Sequence, residues 1–194
     1  MTADTIAAIA TARGQGAIGV VKISGPLAAL VAKSVTRQQL RVRHTHYLSL
    51  YNRHGETIDQ GIAIYFNSPD SYTGEDVLEL QAHGNSFVLD QLLDAAVAQG
   101  ARLARPGEFT ERAFLNNKMD LAQAEAVADL IESNSREAAR AAIASLSGDF
   151  SEGIAGILKQ LIDARVYIEA ALDFSEEEID FCLLYTSPSP RDRG

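Results

Sequence analysis

The pattern of apolar residues changes kind at Asp120, and no other feature restricts the fold as much. Upstream, short β-rich runs alternate with turn signals; from Asp120 through Phe174 those runs vanish and alanine-rich helical periodicity replaces them. A chain patterned in this way reads as α+β in its first part and all-α in its second, with the division predicted between residues 1–118 and 119–181. Its 194 residues suffice for one large domain or a domain plus an extension, and 46% hydrophobic content supports a real core.

Within the first part, Asp4 to Ala10 and Ile18 to Ser24 read as two strands joined by the glycine-rich Arg13 to Gly16. Gly25 and Pro26 then open a helix carrying Leu27, Leu30 and Val31. Tyr47 to Tyr51 and Ile58 to Phe66 flank the turn signal His54-Gly55-Glu56 and form a second predicted hairpin. Val77 to Ala82 is a further strand. Asn85 starts a helix through Val97, with Leu89, Leu92, Leu93 and Ala96 at helical spacing and Gly100 just past its end.

The two parts meet in the run RPGEFTERAFLNNKMDLAQAEA, Arg105 to Ala126. Pro106 suits a first helical position, and Glu108 and Glu111 place negative charge near the positive end of that helix. Asn116 and Asn117 end it, and Asp120 caps the next helix with Gln123 three residues on, a capping-box spacing. Lys118 stands at the corner between the two helices, where a cation complements a helix C-terminus or reaches a ligand. Beyond, Gly148 is predicted to separate two long helices, the second carrying Ile154, Ile157, Leu158, Leu161, Ile168 and Leu172 on one stripe. Two such helices bury little alone, so they are expected to pack on a partner chain or on sequence that follows.

Charge and composition narrow the chemistry. A net charge of -9 argues against gripping a nucleic acid by broad charge neutralisation, so any RNA contact is expected to be local. The acidic group Glu176, Glu177, Glu178 and Asp180 and the basic group Arg37, Arg41, Arg43 and His44 read as solvated faces. No apolar run approaches about 18 residues and no secretory pattern opens the chain, so a cytoplasmic protein with no membrane association is expected. The one cysteine, Cys182, excludes an intrachain disulfide and a multi-cysteine metal site.

Gly14-x-Gly16-x-x-Gly19 matches a dinucleotide fingerprint in spelling, yet it leads into Val20, Val21 and Ile23, a strand, where the fingerprint needs a helix N-terminus. These glycines are read as a hairpin. No GxxxxGK[ST] occurs, so the phosphate cradle of a P-loop is missing from these residues. His44 and His46 share a strand face without a carboxylate set, and no metal site is expected. His83 lies at a strand-to-helix junction, where it binds a ligand or bonds the local backbone. In Val77 to Gln81, alternation puts Glu79 and Gln81 opposite Leu78 and Leu80, so Glu79 either faces solvent or lines a pocket. There a carboxylate accepts paired hydrogen bonds from a guanidine-like edge such as a pterin offers. Lys22, on the face opposite Val21 and Ile23, is a candidate for a polar group of the same ligand.

Taken together, Asp4-Thr5-Ile6, GQGAIGVVKISG at Gly14 to Gly25, DQGIAIYF at Asp59 to Phe66, SYTGEDVLELQAHG at Ser71 to Gly84, and the junction run through Ile131 resemble the N-terminal region of the MnmE (TrmE) family of tRNA modification GTPases, over roughly residues 4 to 181. The resemblance implies a folate-binding and dimerisation domain over residues 1–118, similar to the T-protein of the glycine cleavage system, then the first helices of a helical domain. It implies 5-formyltetrahydrofolate or a related reduced folate as ligand, with Lys22, Glu79 and Lys118 on the contacting positions. Lys22 stands where the family commonly has arginine, which keeps the charge without the planar fork.

The same resemblance implies a homodimer and a parent protein that binds GTP, potassium and magnesium. With an MnmG-type FAD-dependent partner, that parent forms the 5-carboxymethylaminomethyl or 5-aminomethyl group on the wobble uridine of tRNA. The GTPase domain and terminal cysteine motif are not within these residues, so no catalytic residue is assigned and the chain alone is expected to be inactive. A stand-alone folate-dependent aminomethyltransferase-like enzyme and a non-catalytic assembly module are the alternative readings. Residues 182–194, rich in Ser and Pro, are expected to be a foreign, disordered tail.

Overall fold

A computed structural model describes residues 4–12 and 14–173 of the chain. Cys182, the acidic group at 176–180 and the expected foreign tail lie outside the described residues. The chain divides into two compact units that part between Ser147 and Gly148.

The first unit is built on a sheet of six strands in the order β3-β4-β5-β2-β1-β6. These are β1 (Ile6–Ile9), β2 (Gly16–Ser24), β3 (His46–Tyr51), β4 (Thr57–Phe66), β5 (Val77–Gly84) and β6 (Arg102–Leu103). All neighbouring pairs are antiparallel except β1 and β6. Both expected hairpins form, β1 with β2 and β3 with β4. Gly16 and Gly19 lie within β2 itself, so this glycine-rich run opens a strand. β6 carries no periodic signal because it is two residues long, held in parallel to Ile6 and Ala7.

Helices α1 (Ala28–Thr36) and α2 (Ser86–Ala98) cover one face of the sheet. Val31, Val35, Leu89 and Leu92 meet Val21, Ile23, Leu50, Leu78 and Leu80 there, and all of them are buried. Strand alternation places Lys22, Glu79 and Gln81 on the face that these helices leave open. Asn85 caps α2 as expected, its side chain accepting from the Phe87 N–H.

The junction run forms α3 (Glu108–Leu115) and α4 (Leu121–Glu132). The first of these helices starts two residues later than Pro106 suggests. The Glu108 N–H donates to the Arg105 carbonyl, and Gly107 at φ 73° completes a turn with Pro106 and Gly107 as its central residues. Asp120 and Gln123 form the expected capping box on α4. The long helix expected from Asp120 to Gly148 is in fact two, α4 and α5 (Arg136–Leu146). Ser133 donates to the Leu130 carbonyl, and Ser135 caps α5 by accepting from the Ala138 N–H, so local side-chain bonds replace helical ones over 133–135.

The second unit contains α6 (Asp149–Asp173), which follows Gly148 as expected. Ile154, Ile157, Leu158, Leu161 and Ile168 are exposed along it. Among the described residues, no helix is long and apolar enough to cross a membrane.

Candidate functional site

The candidate site forms on the open face of the sheet, where the β2–β5 register sets Lys22 directly opposite Glu79. Lys22 Nζ lies 3.0 Å from Glu79 Oε1, and the two side chains are 33% and 20% exposed, partly shielded from water. On the other face of the same ladder, Val21 opposite Leu80 and Ile23 opposite Leu78 lock that register through the core. Lys22 Nζ also stands 5.8 Å from the centre of the Tyr72 ring.

Between β4 and β5, residues 67–76 fold back over this end of the sheet. Asp76 organises the loop base, accepting from the Ser68 N–H at 2.8 Å and from the Tyr65 hydroxyl at 2.8 Å. Burial first, and then the Asp76 carboxylate, push the Tyr65 hydroxyl above its ordinary pKa. Helix α3 grips the loop from the other side. Asn116 Nδ2 donates to the Thr73 carbonyl at 2.7 Å, Tyr72 and Thr110 share a hydroxyl bond of 2.9 Å, and Arg112 Nη1 reaches Glu75 Oε2 at 3.0 Å. Glu75 in turn accepts from Ser24 Oγ at the end of β2, and Ser24 bonds Thr73.

Arg112 is the centre of an ionic cluster that also holds Asp4 and Glu108, with Arg102 and Arg105 on the far side of Glu108. Glu108 is 3% exposed; the Arg102 guanidinium first, aided by the Arg105 backbone N–H, holds its carboxyl down at about 2. Burial works against the Arg112 charge, but Glu75 and Asp4 outweigh it and raise its pKa. Asp4 is held below its ordinary value chiefly by its bond from Arg102. From sequence, Glu108 reads as a helix-end charge alone and Arg112 carries no signal, because neither an acid nor an arginine in a polar run marks burial by itself.

These elements border an open cavity of about 330 Å³ lined by Arg43, Phe66, Asp70, Tyr72, Glu79 and Lys118, with Ser71 and Val77. Glu79 and Lys118 thus line one space, and Lys22 reaches it through its pair with Glu79. Among the described residues, Lys22 is the ion-pair partner of Glu79. Arg43, Tyr72, Phe66 and Asp70 carry no ligand signal of their own in the sequence. Arg43 reads there as part of a solvated basic face, yet its N–H donates to the Tyr65 carbonyl and its guanidinium to the Asp70 carbonyl. Tyr72 lies inside the SYTGED motif, which is the one signal that points to it.

The histidines lie elsewhere. His44 precedes β3 and only His46 belongs to it, so they do not share a strand face; His46 Nε2 accepts from the Arg41 N–H. His83 bonds Asp59 across the β4–β5 pair at 2.9 Å, not its local backbone, because its position on β5 puts Asp59 beside it. Burial disfavours the Asp59 charge, but the His83 backbone N–H and imidazole together keep it below its ordinary value.

Comparison with known proteins adds a family. The family described as GTP-binding protein TrmE N-terminus matches residues 5–118, and the MnmE helical domain matches residues 121–185. The tRNA modification GTPase MnmE of Pseudomonas aeruginosa (strain UCBPP-PA14) is 57% identical over 178 residues, covering 92% of this chain and 39% of that relative. The protein of the same name from Saccharophagus degradans is 57% identical over 180 residues, covering 93% and 40%. That of Pseudomonas fluorescens (strain Pf0-1) is 56% identical over 178 residues, covering 92% and 39%. The chain therefore spans about two fifths of the length of these relatives.

Proposed function

The chain belongs to the MnmE family, and from that premise we propose that it is the N-terminal part of a tRNA-modifying GTPase whose residues 1–118 bind a reduced folate and pair with a second copy. Residues 119–181 begin the helical domain in this reading. The observation that carries it is the cavity onto which Glu79 and Lys118 both open, with Lys22 held against Glu79. Its volume of about 330 Å³ lies at the lower end of the range for small-molecule sites, as suits the ring portion of a ligand with a longer tail.

The donor set fits a folate. When bound, 5-formyltetrahydrofolate or a related reduced folate supplies a one-carbon unit. Glu79 accepts from the guanidine-like edge of its ring, a charge-assisted bond stronger than a neutral amide acceptor would make. Lys22 fixes the Glu79 rotamer through their ion pair. Tyr72 and Phe66 offer flat apolar surface to a ring, while Lys118 and Arg43 offer positive charge to carboxylates on a tail.

In the parent protein the same reading places GTP hydrolysis, with potassium and magnesium, in sequence beyond these residues. The parent works with an MnmG-type FAD-dependent partner on the wobble uridine of tRNA in the cytoplasm. Residues 1–118 then bind folate and dimerise, and no residue of 1–181 is assigned to GTP hydrolysis. Fluorescence titration of the full chain with 5-formyltetrahydrofolate, alongside light scattering, tests the reading. Saturable binding by a dimer is expected; a folded sample with no saturable binding overturns it.

A further inference from the structure

From Thr5 to Gly55 the chain carries no aspartate or glutamate, although its net charge is -9. Into the last part of that stretch fall Lys33, Arg37, Arg41, Arg43 and Arg53, with three of the four histidines of the chain. The fold strings these residues along the β3 edge of the sheet, with Arg37 and Arg53 by the β3–β4 turn and Arg41 and Arg43 toward the other end of β3, where His46 pairs with Ala63 and Val42 bridges to Tyr65. Arg37 closes α1, and its Nη2 donates at 2.8 Å to the Gly55 carbonyl in the β3–β4 turn, beside Arg53 and His54. Its guanidinium lies 4.0 Å from the centre of the Tyr51 ring. The connection from Arg37 to β3 carries Arg41, tied to His46 through its backbone, and Arg43, which reaches the Asp70 carbonyl at the cavity.

Two further observations mark this edge. None of Arg37, Arg41, Arg43 and Arg53 is paired to a carboxylate among the described residues; elsewhere among them Arg102, Arg105, Arg112 and Arg165 are paired, and Arg136 and Arg140 are not. Arg37 and Arg43 also sit at φ 56° and 58°, and the only other described non-glycine residue with positive φ is Asn117. Glycine or asparagine suits such positions with less strain, so an arginine there is held for its side chain.

We infer that this edge is a contact surface for the phosphate backbone of a folded RNA, leading through Arg43 to the rim of the cavity. The inference rests on the reading of the parent as a tRNA-modifying protein. Guanidinium groups present a planar fork that matches phosphate oxygens, and unneutralised arginines at the end of a connecting loop can follow a curved backbone. A lipid surface fits less well, because α1, the neighbouring helix, buries Ala28, Val31, Ala32 and Val35 in the core and leaves Leu30 as its one exposed large apolar side chain. The acidity of the remaining chain confines the contact to this edge and makes it strongly salt-dependent.

The test is fluorescence anisotropy of a labelled RNA stem-loop with the full chain, across salt concentrations from about 50 to about 200 mM. Binding should weaken with salt, and Arg41→Ala with Arg53→Ala should lower the magnitude of the slope of log K against log salt by about two. Folate titration of that double variant should match the wild type, since neither residue lines the cavity. Unchanged RNA affinity in the folded double variant overturns the inference, as does binding to phosphatidylserine vesicles without binding to RNA. RNA binding with the expected slope in a chain that binds no folate would uphold this surface and reject the folate site.

Discussion

Lys22 and Glu79 face each other across the β2–β5 ladder, their charged atoms 3.0 Å apart at the rim of a cavity that also receives Lys118. The pair gives the open face of the sheet a fixed carboxylate. Around it, α3 and the 67–76 loop are joined to each other by Arg112, Asn116 and Thr110, so the walls of the cavity depend on contacts that touch no ligand.

Arg112→Ala should therefore act on stability first. It leaves Glu108 and Glu75 with one cation fewer in a setting where Arg112 itself is only 10% exposed. Breaking a buried pair from one side costs about 3–5 kcal/mol. Urea unfolding at neutral pH should register a loss of that order, with Arg112→Lys intermediate because one amine cannot bridge Asp4, Glu75 and Glu108 together. A loss below about 1 kcal/mol, the level of an exposed pair, would mean the cluster is solvated.

The same cluster sets a pH dependence. The Glu108 carboxyl titrates at about 2 in the folded chain against an ordinary 4.5. A lowered folded value contributes stability that is fully present above about 4.5 and lost as pH falls through about 2. Urea midpoints of wild type and Glu108→Gln should thus differ most above about pH 5 and converge toward about pH 2. A gap that stays constant across that window would show that Glu108 is not held ionised by Arg102.

Gly74→Ala tests the packing of the loop on the junction. Gly74 has φ 76°, and an added Cβ would come within 3.1 Å of Asn116 Cβ and 3.2 Å of Lys118 Cγ. The backbone term alone costs about 1–2 kcal/mol. Thermal unfolding should shift down by a few degrees, and affinity for a reduced folate should fall because Lys118 is displaced together with Asn116. Unchanged affinity with lowered stability would separate Lys118 from the ligand.

How far the site is legible in sequence depends on the range of the signal. Alternation in Val77 to Gln81 and in Val20 to Ile23 is enough to put Glu79 and Lys22 on the non-core face. That the two meet is not legible, since register between positions 57 residues apart along the chain is fixed by core packing, not by either strand alone. The Asp120–Gln123 capping box is legible because all its atoms lie within one helical turn. Arg43 and Arg112 are not: the first sits in an aperiodic loop, and the second is an arginine whose burial depends on carboxylates at Asp4 and Glu75, far away in sequence. The break at Ser133 to Ser135 has a signal in the cap-prone run Ser133-Asn134-Ser135, but alanine periodicity on both sides of it masks that signal.

The central claim, that one cavity built around Glu79 takes a reduced folate, is tested most directly by calorimetric titration of 5-formyltetrahydrofolate into wild type, Glu79→Gln, Lys118→Ala and the surface control Arg140→Ala. Losing a charged hydrogen bond costs about 1.5–3 kcal/mol, so Glu79→Gln should weaken binding by roughly 10- to 100-fold, with Lys118→Ala also weaker and Arg140→Ala unchanged. Equal affinity in folded wild type and Glu79→Gln would contradict the account.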